Sequence, residues 1–527
     1  MKILVSDNLS ESGIEKLRAV PGFEVEVNTS LTHEELCSVI KEYDALVIRS
    51  ATKVTREVIE AADNLKVIGR AGIGLDNVDI PAATKRGIVV MNTPEGNVIT
   101  TAEHTIAMLM ALSRNIPQAN KSMKEGKWEK KKFRGKEVFN KTLGVVGIGR
   151  IGRVVADRAK GLKMNVIAFD PYINEETIRK LGVEAVGFDE LLSRADYITV
   201  HTPMTQETRN LINREAFKKM KPGVFIINCA RGGIVNEQDL YEAIQEGIVA
   251  GAALDVFVEE PPKTNPLLEL DKVIATPHLG ASTDEAQENV ALAVADQVID
   301  YLLNGTIRNA VNAPAIDGEV LATMRPYLEL SEKLGGLVQQ ITPGAPQEIS
   351  IEYVGDVCQV KDTKPLTISV LKGILTPMLG EQVNFVNAPV HAKERSIRVT
   401  ESLRAEAEDF TNLISIYMKT SQDENLVAGT IFGKKDVRLV RINDFRLEAA
   451  MEGHLVLIYN IDTPGTIGAI GTCLGRHNIN ISMMDVGQVL ERGQNIILLR
   501  TDTPVTPDVV QELLSLENVN IVQVLEL

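Results

Sequence analysis

An α/β protein with two doubly wound parallel sheets, followed by two smaller α+β domains, is what the sequence predicts. Three observations predict it. Short apolar runs alternate with helical patterns through the first part of the chain, a G-x-G-x-x-G turn stands between a strand and a helix within that part, and the rhythm is lost beyond about residue 309. At 527 residues the chain is long enough for three or four cores of roughly 100–200 residues each.

The apolar runs at residues 3–5, 45–48, 67–68 and 88–91 fit strands buried on both faces and joined by crossover helices. Residues 1–98 therefore read as a first α/β unit. A helical stretch over about 101–119 leads into a second unit, with strands expected at 142–146, 165–169, 197–200, 224–228, 251–255 and 273–275. The helical stretch 284–303 has no strand left to serve there and is expected to return to the first unit. This gives a discontinuous, flavodoxin-like substrate domain (1–98 and 284–308) around a Rossmann-type dinucleotide domain (99–283). From 309 to 450 the pattern changes to an α+β intervening domain, with antiparallel strands at 413–418, 426–432 and 437–442. The last part, 451–527, runs strand, helix, strand, strand, helix, strand, a ferredoxin-like order.

Composition narrows the function classes. Hydrophobic residues at 44% and charged residues at 24% are ordinary for a soluble globular chain. A formal net charge of −15 would repel a phosphate backbone, which argues against nucleic acid as partner. No run approaches the roughly 20 apolar residues of a membrane span, and Met1 leads directly into Lys2-Ile-Leu-Val-Ser-Asp, so a cytoplasmic location is expected. Cys37, Cys229, Cys358 and Cys473 are widely separated, with no metal or redox spacing, and are expected to be buried as small hydrophobes.

Gly147-Ile-Gly-Arg-Ile-Gly152 has the context that gives the motif its meaning, a strand before it and a helix after it. Gly147 permits the tight turn, Gly149 lets a pyrophosphate approach the backbone, and Gly152 lets helix and strand pack closely. Arg150 and Ile151 open the helix, whose N-terminal N–H groups and positive dipole end suit phosphates. Asp170 ends the next strand 18 residues beyond Gly152. A carboxylate there accepts ribose hydroxyls and repels a 2′-phosphate, which selects NAD.

Hydride transfer from a hydroxy acid needs a cation for the carboxylate, a base for the hydroxyl proton and a group that orients the base. Three loops beyond strand ends offer them. Asn228-Cys-Ala230-Arg231-Gly-Gly supplies a guanidinium fork. Asp255-Val-Phe-Val-Glu-Glu260-Pro-Pro supplies an acid, and Thr276-Pro-His278-Leu-Gly280 a histidine. His278 would be the acid/base, with Glu260 orienting it and favouring its protonated form. His201, in Tyr197-Ile-Thr-Val-His-Thr202-Pro203, is a rival base that these residues alone leave open.

With G-x-G-R-I-G, these loops, N-x-A-R-G-G, D-V-F-x-x-E-P-P and T-P-H-L-G, resemble the D-isomer-specific 2-hydroxyacid dehydrogenases in residues, order and spacing. The resemblance implies that the base lies in the T-P-H-L-G loop, hence His278. It implies cofactor contacts at Gly147, Gly149, Arg150, Ile151, Gly152, Asp170, His201, Thr202, Pro203, Ala230, Asp255 and Gly280. The likeness covers essentially the whole chain and is greatest to the long-form branch with two regulatory domains, whose substrate is 3-phosphoglycerate. That branch implies substrate contacts at Arg49, Ser50, Lys53, Arg70, Gly72 and Asn97. It also implies a homodimer or homotetramer in which Lys130, Lys132 or Arg134 could reach a neighbour's substrate. In some relatives an arginine stands at the position of Lys130, so here a point charge replaces a fork; a solvated helix face is the plain alternative for 121–136.

The segment Asn460-Ile-Asp462-Thr-Pro-Gly, with Asn478-Ile-Asn480, resembles an ACT domain. The resemblance implies an amino-acid effector, L-serine, held by Asn460, Asp462 and Asn480, with glycines 465, 468 and 471 allowing close approach. Lys434, Lys435, Arg438, Arg441 and Arg446 read either as a second anion site or as an exposed basic strand. No metal site is expected. Another 2-hydroxy acid of the glycerate or hydroxypyruvate type, or a non-catalytic NAD(H)-sensing regulator on the same fold, stays open as a second reading.

Overall fold

The computed structural model describes residues 1–316, 318–360, 362–406, 409–489 and 493–527. Four sheets organise them. The first contains β1 (Lys2–Val5), β2 (Glu24–Val27), β3 (Ala45–Ile48), β4 (Val67–Arg70) and β5 (Val89–Asn92), all parallel, in the order β2-β1-β3-β4-β5. This is the flavodoxin-like order. The second contains β6 (Thr142–Val146), β7 (Asn165–Phe169), β8 (Glu184–Ala185), β9 (Tyr197–Val200), β10 (Val224–Asn228), β11 (Val249–Leu254) and β12 (Val273–Ala275). It is also parallel, in the order β12-β11-β10-β9-β6-β7-β8. The order reverses between β6 and β9, and such a switch point opens a crevice beyond the strands' carboxyl ends.

The helix Val98–Arg114 crosses between the two sheets, and its buried Ala102, Met108, Leu109 and Leu112 join the core under β6. One continuous helix was expected over 101–119. Asn115 interrupts it in the left-handed region at φ 53°, and a second helix, Ile116–Lys124, starts there with a proline in its first turn. The helix Asp284–Asn304 returns to the first sheet, where Val290, Ala291, Val294, Ala295 and Val298 pack with Ile3, Val5, Val47 and Val67.

The third sheet holds β13 (Pro346–Gly355), β14 (Arg398–Arg404), β15 (Asn412–Thr420), β16 (Glu424–Phe432), β17 (Asp436–Ile442) and β18 (Phe445–Ala450). The expected antiparallel strands are β15 to β17, and one parallel pair, β13 with β14, joins them in the same sheet. The helices Gly318–Ile341 and Lys364–Leu379 cover this sheet and cross closely: a Cβ on Gly373 would come 2.0 Å from the Glu332 carbonyl oxygen. The fourth sheet, β19 (His454–Ile461), β20 (Ile481–Val489), β21 (Gln494–Thr501) and β22 (Val519–Leu525), is antiparallel in the ferredoxin-like order β20-β21-β19-β22. One face carries helices, and the other adds Leu455, Leu457, Ile496 and Leu498 to the core of the third sheet.

Of the four cysteines, Cys229 and Cys473 are buried, while Cys37 and Cys358 are only half-buried. Among the described residues no helix is long and apolar enough to cross a membrane, and no cluster of acidic, histidine or cysteine side chains could hold a metal.

Candidate active site

The glycine turn leaves β6 into the helix Arg150–Gly161. Gly147 has φ +91°, and a side chain there would strike the carbonyl of His201 and the methyl group of Thr202. A Cβ on Gly152 would come 2.1 Å from the Gly147 carbonyl oxygen, whereas one on Gly149 would meet nothing within 4 Å. The turn is thus closed toward the protein and open toward the crevice, and Arg150 and Ile151 begin the helix whose N-terminus faces it. Asp170 lies beside the turn: Ile148 N–H donates to its Oδ2 at 3.0 Å and Tyr172 N–H to its Oδ1 at 2.9 Å. Each oxygen keeps a lone pair for a ribose hydroxyl.

His201 and Thr202 line the same crevice, followed by the exposed Pro203. His201 Nε2 lies 3.0 Å from Thr199 Oγ1, while its buried Nδ1 and the buried Oγ1 of Thr202 have no partner among the described residues. Burial alone pushes the His201 pKa down to about 4. A ring so reluctant to take a proton is a poor acid/base at neutral pH, which speaks for the rival histidine.

The three loops end adjacent strands β10, β11 and β12. In the first, buried Asn228 clamps the turn: its Oδ1 accepts from Ala230 N–H at 3.0 Å and its Nδ2 donates to the Arg231 carbonyl at 2.9 Å. Gly232 is required because a Cβ would come 1.9 Å from the Phe257 carbonyl oxygen. In the second, fully buried Asp255 accepts from Thr276 Oγ1 (2.6 Å), Leu279 N–H (2.7 Å) and Gly280 N–H (2.8 Å), with His104 Nε2 at 3.2 Å. Burial would raise its pKa, but the bonds from His104, Thr276 and Leu279 outweigh it and the net shift is down. In the third, His278 has φ +55°, uncommon for a non-glycine residue and typical of functional loops. Its Nδ1 lies 2.7 Å from Glu260 Oε2, and Glu260 Oε1 accepts Phe257 N–H at 3.0 Å. With the Nδ1 proton directed at Glu260, Nε2 presents its lone pair.

From the first sheet come Arg49 and Arg70, at the ends of β3 and β4. Asp7 accepts from Thr52 N–H and Oγ1, and Asn77 Nδ2 donates to the carbonyls of Arg49 and Thr52, which fixes the loop holding Arg49, Ser50 and Lys53. Ser50 and Lys53 are exposed. The Arg70 guanidinium folds over Gly72, whose φ of +138° and missing side chain leave it room. Burial, and after it the like charge of Arg231, pushes the Arg70 pKa down to about 10, with Asp76 opposing. Arg70 Nε and Asn97 Oδ1 are buried without a partner among the described residues. Unpaired polar atoms this deep are rare in folded proteins, and four of them, on Arg70, Asn97, His201 and Thr202, belong to the cofactor and substrate residues expected from the sequence.

Asp7, Asn77, His104 and Asp76 escaped the sequence reading because their partners are distant in the chain, whereas Asn228 stands inside the N-x-A-R-G-G motif and its clamp on Ala230 and Arg231 is local. Lys130 lies on an exposed turn after the helix ends at Lys124, so most of the stretch 121–136 is turn and irregular loop rather than a helix face. Arg438 and Arg446 pair with Asp436 and Asp409, and Arg441 donates to the Asn443 carbonyl, the behaviour of an exposed basic strand. In the last domain Asn460 is buried with Oδ1 unpartnered among the described residues, and Asn480 N–H donates to Asp502 at 3.0 Å. A Cβ on Gly465, Gly468 or Gly471 would meet nothing within 4 Å, so these glycines make no close packing among the described residues.

Three family models match: the D-isomer specific 2-hydroxyacid dehydrogenase NAD binding domain over residues 106–280, the D-3-phosphoglycerate dehydrogenase intervening domain over 323–443, and the ACT domain over 454–518. D-3-phosphoglycerate dehydrogenase from Methanocaldococcus jannaschii is 46% identical over 528 residues, covering 100% of both chains. The protein of that name from Bacillus subtilis is 42% identical, covering 100% of this chain and 99% of its own. Among solved structures, D-lactate dehydrogenase from Aquifex aeolicus with NAD and lactic acid aligns with a TM-score of 0.53 at 28% identity, over 60% of this chain and 100% of that one. NAD-dependent formate dehydrogenase from Staphylococcus aureus with NAD gives 0.54 at 30%, with the same coverage.

Fold and site define an NAD-dependent dehydrogenase of the D-isomer-specific 2-hydroxyacid type. The chain belongs to the D-3-phosphoglycerate dehydrogenase family and carries that family's intervening and ACT domains.

Two predictions follow from the nucleotide side of the crevice. Asp170→Asn keeps an acceptor for Ile148 N–H but removes the charge, and should lower the NAD-to-NADP ratio of kcat/KM about tenfold, roughly 1.4 kcal/mol of discrimination; steady-state kinetics with both cofactors measures it. His201 has a folded pKa of about 4 against an ordinary 6.5. Its neutral burial therefore costs nothing in stability above pH 6.5, and stability is lost as pH falls from there toward 4. Thermal unfolding across that window should fall more steeply for the native chain than for His201→Gln.

Proposed function

We propose that the chain oxidises 3-phosphoglycerate to 3-phosphohydroxypyruvate with NAD, the opening step of serine synthesis. The observation that carries this reading is the crowding of three guanidinium groups, Arg49, Arg70 and Arg231, with Arg70 half-buried and its buried Nε unpartnered among the described residues. Cations at this density suit a substrate bearing more than one negative charge.

Arg231 takes the carboxylate and polarises the reacting oxygen. His278 Nε2 accepts the C2 hydroxyl proton, while Glu260, anchored by Phe257 N–H, holds the imidazole through Nδ1 and stabilises the imidazolium that forms. A nicotinamide held in this crevice would supply the hydride acceptor for C2, the alcohol becoming a ketone as His278 takes the hydroxyl proton. Gly147, Gly149, Arg150, Ile151 and Gly152 take the pyrophosphate, Asp170 the ribose, and His201, Thr202, Pro203, Ala230, Asp255 and Gly280 line the rest of the cofactor's path. Arg49, Ser50, Lys53, Arg70, Gly72 and Asn97 receive the phosphate and carboxylate from the other wall. Lys130 joins them from a neighbouring subunit of a homodimer or homotetramer.

The ACT domain would give feedback by L-serine. Support comes from the unpartnered Oδ1 of buried Asn460, an acceptor suited to an amino group, and from the open glycine face of the helix Thr466–Arg476. Asp462 and Asn480 would complete the effector site.

NADH oxidation compared on 3-phosphohydroxypyruvate and hydroxypyruvate, with and without L-serine, tests the reading. The phosphorylated acid should be preferred by at least an order of magnitude and serine should slow its turnover; equal rates on both acids would remove the case for phosphate recognition. His278→Ala should lower kcat by about 10²-fold or more.

A further inference from the structure

Arg231 already has a carboxylate partner within its own chain. Its Nε donates to Asp76 Oδ2 at 3.1 Å, its Nη1 donates to the Ala230 carbonyl at 2.7 Å, and its Nη2 lies against Gly74, where a Cβ would come within 2.0 Å. The fork edge formed by Nε and Nη2 is the one a carboxylate grips with two parallel bonds, and Asp76 stands at that edge. The two residues come from opposite walls of the crevice, Asp76 from the loop after β4 and Arg231 from the loop after β10.

Accessibility separates their roles. The Arg231 side chain is 29% exposed and that of Asp76 68% exposed. The acid can therefore turn out into water at small cost, while the guanidinium keeps its position through Ala230 and Gly74. Asp76 also offsets part of the repulsion that Arg70 feels from Arg231 and Arg49. A second pair repeats the arrangement: Glu95, from the first-sheet wall, lies 3.8 Å from Arg150 at the cofactor helix. Both acids face cations that the proposed function gives to anionic ligands.

We propose that Asp76 is a positioning residue, an internal carboxylate that holds the Arg231 fork aimed into the crevice and is exchanged for the carboxylate of the incoming 2-hydroxy acid. Binding then replaces one ion pair by another at a fork already oriented, instead of ordering a free guanidinium. A ligand without a carboxylate at this place cannot make the exchange. The assignment rests on Arg231 being the carboxylate's partner.

The test is kinetics of the native chain and Asp76→Asn at saturating NAD, on 3-phosphoglycerate and on D-glycerate. Asparagine keeps the shape and removes the competing charge. KM should fall about two- to fivefold on both acids, the range typical of a partly exposed ion pair, with a smaller change in kcat. An unchanged or raised KM on both would overturn the exchange and leave Asp76 as plain support for the arginine. Native turnover of D-glycerate alone would sink the phosphorylated substrate while leaving the Asp76 comparison readable. Titration calorimetry with oxalate in the presence of NADH reads the same exchange without turnover, and tighter oxalate binding by Asp76→Asn is expected. Should that variant not fold, Asp76→Ser gives the same comparison.

Discussion

The catalytic side of the crevice hangs on one buried carboxylate. Asp255 is fully inaccessible, and an ionised acid in that position is tolerable only with its oxygens fully engaged. Thr276, Leu279, Gly280 and His104 engage them. Two of these donors are backbone N–H groups of the loop that carries His278, and the Asp255 carbonyl accepts His278 N–H at 2.9 Å. The left-handed backbone at His278 is thus held from both sides of the residue. With the backbone held, a single bond to Glu260 suffices to set the ring. Removing the Asp255 carboxylate altogether, as in Asp255→Ala, would leave two buried loop amides unpaired, at about 1–3 kcal/mol each, enough to free the loop.

The intervening and ACT domains are tied to the opposite wall. Asn312 accepts Val90 N–H and donates to the Ile88 carbonyl, so the first residues past the returning helix are stitched to β5. Asn384 donates to the Gly87 carbonyl, and a Cβ on Gly87 would come 2.1 Å from that amide nitrogen. β5 is the neighbour of β4, whose end carries Arg70. At the far end, Gln340 and the Glu526 backbone exchange two hydrogen bonds, at 2.7 and 2.9 Å, joining the last strand to the helix Gly318–Ile341. The contacts join the ACT sheet, through the helix Gly318–Ile341 and the segment around Asn384, to the wall that carries Arg70.

Which parts of this were legible in the sequence follows from how each is stabilised. Parallel strands buried on both faces are continuous apolar runs, so β3, β5, β9 and β10 stood out. Edge strands are not: β2 reads Glu-Val-Glu-Val with three exposed positions, and β14 is polar and exposed along most of its length. The glycine turn and the three loops were legible because each is a local motif. Asp76 and His104 were not, because their partners lie 155 and 172 residues away. Nothing in a local pattern marks an ordinary acid in a loop as the counter-ion of a remote arginine. The half-buried Cys37 and Cys358 show the converse limit, since residue type alone set an expectation of burial that their surroundings did not meet.

Charge poses the remaining question, because a chain of net charge −15 must admit an anionic cofactor and an anionic acid. The two scales do not compete. At physiological ionic strength the surface charges are screened within about 8 Å, so most of the negative surface is not felt inside the crevice. Arg49, Arg70 and Arg231 act at hydrogen-bond range, and the partial burial of Arg70 removes some of the water that would screen it. Burial also makes such a cluster costly when uncompensated, as the lowered pKa of Arg70 records. An acid placed within reach of Arg231 and Arg70, yet exposed enough to leave, meets both demands: it neutralises the cluster and yields to an incoming carboxylate. Asp76 has that position and that exposure.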